Sequence, residues 1–93
     1  MDATECLRLW IANDEPTYTA HCAMAEAARP GEDIVVSDTY TVHREPENVL
    51  ADTLRRHWTE EIPSGVENVW LDLLLHALAD VDWRKLATDL LTP

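Results

Sequence analysis

The 93-residue chain carries eighteen acidic against seven basic side chains, a formal net charge of -11, with a hydrophobic share of 46%. That length supports one domain, and that share is typical of a folded chain rather than a disordered one. So negative a surface argues against direct nucleic-acid binding and against anionic membrane surfaces, and favours encounter with a basic protein partner.

Residues 6–11 alternate Leu7, Leu9 and Ile11 with Arg8 and Trp10. That pattern suits either a short strand or a turn or two of helix. Asn13-Asp14-Glu15-Pro16 follows as a helix start, with Asp14 as N-cap and a proline where a missing N–H costs nothing. Tyr18, Cys22, Ala25 and Ala28 then form the expected apolar stripe, closed by Arg29 and Pro30-Gly31.

Residues 32–43 change character. Ile34-Val35-Val36 and Thr39-Tyr40-Thr41-Val42 favour strands, with Ser37-Asp38 as a turn between them. A small hairpin, a single strand pairing with the first segment, and an ordered loop all fit. Pro46 opens another helix with Val49, Leu50, Leu54, His57, Trp58 and Ile62 on one side, ended by Pro63.

Ser64-Gly65-Val66-Glu67 has the form of a capping box before an apolar run, and is the clearest local start signal in the chain. The helix it predicts carries Val66, Val69, Trp70, Leu73, Leu74, Ala77, Leu78 and Val81 on a face so broad that it is expected to be the most buried of the domain. Asp82 is placed to cap a last helix with Trp83, Leu86, Ala87, Leu90 and Leu91 inward. Trp10, Trp58, Trp70 and Trp83 supply most of the large aromatic surface and are expected to anchor the core. The sum is a single mainly α domain over residues 1–93, a bundle of about four helices with a two-stranded β element as an option.

Met1 is followed by Asp2 and Glu5 with no long apolar run near them, so no signal peptide is predicted. Residues 69–79 are broken by Asp72 and His76 and cannot span a bilayer. A cytoplasmic location follows as the expectation, with Cys6 and Cys22 as reduced thiols.

Two stretches carry a resemblance. Trp10-Ile11-Ala12-Asn13-Asp14-Glu15 with Tyr18 resembles the W-[IL]-x-N-D-E-x-x-Y motif of a family of short, acidic, uncharacterised phage, plasmid and bacterial proteins. Val81-Asp82-Trp83-Arg84-Lys85-Leu86-Ala87 resembles the V-[DN]-W-x-x-[IL]-A motif at their C-terminus. Residues 32–43 look like an insertion relative to the shorter members. The resemblance implies a mobile-element setting and a compact helical fold, and it brings no activity with it.

No catalytic constellation emerges. His21 and Cys22 are consecutive on a helix, about 100° apart around its axis, and do not face each other. There is no CxxC, HxxxH or Glu-x-x-His spacing, so no metal or other cofactor is predicted. His76, and likewise His57 beside Trp58, are expected to be partly buried and hydrogen-bonded to backbone. Asp14, Glu15, Glu45, Glu47 and Asp82 serve helix N-termini. The reading is of a protein that does not catalyse a reaction.

Carboxylates at helix C-termini oppose the macrodipole, which makes Glu60, Glu61, Asp80 and Asp89 candidates for partner contact. With Glu32, Asp33 and Asp38 they form the predicted negative surface. Asp52 is expected to pair with Arg55 and Arg56, and Arg56 with Glu60. Such a surface would mimic a nucleic-acid backbone and occupy a basic groove on a host nuclease or DNA-binding protein, in the manner of anti-CRISPR or antirestriction proteins. A homo-oligomeric accessory protein, dimeric through a Trp-rich apolar stripe and with an acidic surface that only solvates it, is the alternative, and a small metal-dependent enzyme a third.

Overall fold

The computed structural model describes residues 1–92 as five helices and one antiparallel hairpin, a mainly α fold with a small β element. The ambiguous first segment is helical, and it supplies the helix beyond the expected four. Asp2 caps α1 (Ala3–Asn13), its carboxylate accepting from the Glu5 N–H at 2.8 Å. With that start, Thr4, Leu7 and Ile11 share one face, and Ile11 is buried.

Asp14 then works in both directions. Its N–H donates to the Trp10 carbonyl at 3.1 Å, ending α1, while its carboxylate accepts from the Thr17 N–H at 3.3 Å and caps α2 (Glu15–Ala28). The buried positions of α2 are His21, Ala25 and Ala28. The predicted stripe was partly misplaced at its start, since Tyr18 is exposed and Cys22 only half-buried.

Gly31 turns the chain away from α2 with φ at 74°, and a Cβ there would lie 2.5 Å from the Arg44 carbonyl oxygen, so both conformation and space call for glycine. Of the three options for residues 32–43, the hairpin is the one formed. Strand β1 (Glu32–Ser37) pairs with β2 (Tyr40–Arg44), Ile34 opposite Val42 and Val35 opposite Thr41, with Asp38-Thr39 at the tip. Every residue of β1 is exposed, so the hairpin is an arm and not part of the core. Arg44 ties it to the body, pairing with Glu32 at 3.5 Å and with Asp52 of α3 (Pro46–Glu60).

The core lies where α3 meets α2 and α5 (Trp83–Leu91). Leu50 and Leu54 of α3 are fully enclosed by Ala25 and Ala28 from α2, Leu86 and Ala87 from α5, and Val81 just before it. Asp82 caps α5 as predicted, accepting from the Lys85 N–H at 3.0 Å. Its own N–H donates to Thr4 Oγ1 at 2.8 Å, which pins the start of α1 to the start of α5 across the whole sequence.

Three expectations fail here, for connected reasons. Residues 64–67 do not form a capping box: the Val66 N–H donates to the Pro63 carbonyl, closing a turn that takes Ser64 and Gly65 out of helical continuation. Helix α4 (Asn68–Ala79) therefore starts later, with Glu67 at the N-cap making no side-chain cap bond and Asn68 at a φ of 61°. Second, α4 is not the most buried helix, since none of its residues is buried. Third, the tryptophans do not anchor the core: Trp58 and Trp83 are half-buried, and Trp10 and Trp70 are exposed. With α4 and the hairpin both standing off the core, the radius of gyration is 15.1 Å, against roughly 12 Å for a compact chain of this length.

Candidate interaction surface

Helix α4 divides lengthwise into three faces. Leu71, Leu74 and Leu78, at i, i+3 and i+7, are half-buried and form the inward face, with α3 as the helix it chiefly contacts. Next to them run Val69, Trp70, Leu73 and Ala77, also at helical spacing, yet these face water: Val69 is 59% exposed, Trp70 71% and Leu73 55%. Asp72 and His76, again i and i+4, border the stripe on its far side. The stripe itself contains no charge.

Ala77 also belongs to an adjoining groove of about 310 Å³, lined by Ala3, Cys6 and Leu7 of α1, Trp58, and Leu74 and Leu78 of α4. Trp10 stands at its side, 61% exposed. Stripe, groove and Trp10 form a continuous apolar tract; the hairpin exposes a separate one at Val35, Val36 and Tyr40.

A second cluster lies between α2 and α3. His21 is wholly buried, with Nδ1 2.7 Å from the Thr17 carbonyl and Nε2 accepting from the Trp58 indole N–H at 3.0 Å. Both bonds are satisfied by one species, the neutral ring with its proton on Nδ1. Burial pushes the His21 pKa below its ordinary value, against the smaller opposing effect of the Thr17 bond, and the neighbouring His57 lowers it further. No ring nitrogen is left to activate Cys22. His57 is half-buried, its ring edge-on to His21 at 5.5 Å between centroids. His76, expected to be partly buried, is exposed, because the helix that carries it is. The buried histidine shares the 21, 25, 28 spacing of the α2 inward face, a helical signal present in the sequence.

The predicted acidic residues are dispersed. Asp33 bonds His43 Nδ1 at 2.7 Å and holds that imidazole's pKa above its ordinary value. Glu32 and Glu60 line one groove, but so do Arg44, Arg55 and Arg56, which makes its charge mixed. Asp89 lines a different groove with Arg8 and Lys85. Glu61 sits by Trp10 and Trp58, Asp80 ends α4, and Asp38 is at the hairpin tip. Asp52 pairs with Arg44 and not with Arg55 or Arg56, because the hairpin delivers a guanidinium that helical spacing could not foresee. No three His, Cys, Asp or Glu side chains converge among the described residues as a metal centre requires. No described helix is long and apolar enough to cross a membrane.

Both resembling stretches fall at helix corners: Trp10 to Tyr18 spans the α1–α2 junction capped by Asp14, and Val81 to Ala87 the α4–α5 junction capped by Asp82. Comparison of the chain with protein-family models, with curated proteins and with solved structures returns no match.

Proposed function

We propose that this protein is a non-catalytic interaction module whose principal contact surface is the apolar stripe of α4 with its adjoining groove. The observation that carries this reading is the exposure of Val69, Trp70 and Leu73 on the most apolar helix of the chain. The largest apolar patch on a monomer is commonly about 300–600 Å² and is often functional, which supports this stripe as the contact surface. Aromatic residues at the centre of such a patch are the usual energetic anchors, which gives Trp70 and Trp10 that role.

The net charge of -11 favours a second reading, in which the dispersed carboxylates contact a basic nucleic-acid-handling protein and inhibit it, as an anti-defence protein from a mobile element would. Site-specific photocross-linking separates the two. A photoreactive side chain at Leu73 should give protein adducts in cells that express the chain, and these should persist at high salt. Adducts from position Glu61 alone, lost at high salt, would favour the acidic surface instead.

A further inference from the structure

We infer that the occupant of the α4 stripe is a second copy of this chain, laid antiparallel about a two-fold axis at Leu73; this rests on the stripe being the contact surface. Area is the first ground. The exposed portions of Val69, Trp70, Leu73, Ala77 and Trp10 come to roughly 500 Å² per chain, so two copies would bury about 1,000 Å², the lower bound for a specific interface.

Complementarity is the second. An isologous contact sets residue i against j and j against i. With the axis at Leu73, that residue meets its own counterpart, and the larger Val69 meets the smaller Ala77 at both ends. Trp70 of one copy then stands level with residue 76 of the other, beside the Leu74, Ala77 and Leu78 rim of the groove. That groove, about 310 Å³, has room for one indole. Each copy would offer one tryptophan and one socket.

Charge is the third. Two chains of -11 repel, so a self-contact must use whatever surface is free of carboxylates. The stripe is such a surface, and Asp72 lies at its border rather than within it. Antiparallel pairing also sets the two helix dipoles in opposition, which is favourable.

Sedimentation of the full chain over a wide concentration range tests this. A monomer–dimer equilibrium is expected, tightening with added salt as the mutual repulsion is screened. Leu73→Glu should weaken it at least 100-fold without changing the circular dichroism spectrum. In a C6S/C22S background, Leu73→Cys should oxidise to a disulfide-linked dimer, while Leu75→Cys, on the other side of the inward face, should not.

A strict monomer, or an assembly other than a dimer, would overturn the two-fold proposal. The same Leu73→Cys thiol then tells which idea failed. Rapid maleimide labelling in the monomer would leave the stripe open to some other partner. Slow labelling in the monomer would mean that the chain covers its own stripe, and the proposed contact surface would fall with the dimer.

Discussion

Helices α3 and α4 reverse what their compositions promise. Nine of the twelve residues of α4 are apolar, against five of the fifteen in α3. Yet Leu50 and Leu54 of α3 are completely enclosed, while no residue of α4 is more than half-buried. The difference lies in neighbours: α3 has α2 on one side and α5 on the other, and α4 has chiefly α3. Apolar width measures how much surface a helix must hide from water, and not whether its own chain is what hides it. In a domain of 93 residues the core is small, and the surplus apolar face stays exposed.

The sharpest way to break that comparison is to truncate one leucine in each helix. Leu54→Ala opens a cavity in a site with no exposure and should cost about 2–5 kcal/mol in chemical denaturation. Leu73→Ala, measured dilute enough to keep the chain monomeric, should fall within about 0.5 kcal/mol of the parent. Equal losses at the two positions would show that Leu73 packs within its own chain after all.

Two histidines sharpen it next. His21 is buried beside α3 with a lowered pKa, while His76 on α4 is exposed. A neutral ring in the folded state and an ordinary one in the unfolded state mean that protons favour unfolding. The His21 contribution is therefore complete above pH 6.5, the unfolded value, and is lost as pH falls from there through the lowered folded value. Trp58→Phe removes the donor to Nε2 and should cost about 1–3 kcal/mol near neutrality by leaving a buried acceptor unpaired. It should also flatten the slope below pH 6.5, because protonated Nε2 no longer meets an N–H. His76→Gln, at an exposed site, should leave the stability at neutral pH within about 0.5 kcal/mol of the parent. Denaturation midpoints across that range check both variants.

Local signals decide the structure where a short-range device acts alone. Asp14, Asp82, Pro46 and the Pro30-Gly31 stop each work through backbone groups within a few residues, and each sits where the sequence placed it. Failures came where a distant element decides. The Leu7, Leu9, Ile11 alternation favoured no strand partner, and Asp2 captured the segment for helix. Arg44 reaches Asp52 from the last residue of β2, at the base of the hairpin beside the start of α3. The size of a tryptophan says how much surface it can bury and nothing about where. Of the candidate surface, Trp70 and Leu73 were legible as a stripe, but its exposure was not, since that depends on the packing of α3 against α5.

The smallest effect tests the one local signal that misled. Ser64 and Glu67 match a capping box, and if they formed one, Ser64→Ala would cost about 1 kcal/mol. The Val66 N–H instead turns back to Pro63, so the serine hydroxyl caps nothing and the substitution should be silent within about 0.5 kcal/mol. Asp82→Ala supplies the contrast. Its carboxylate accepts from the Lys85 N–H, and its loss should cost about 1 kcal/mol. Both residues precede a helix, one before α4 and one before α5, so the pair measures how firmly each helix is started. A helix that begins without a side-chain cap and packs on few neighbours should also exchange its first-turn amides sooner. Hydrogen exchange should then find residues 68–71 opening well before residues 83–86. Once a second chain covers the stripe, that gap should narrow.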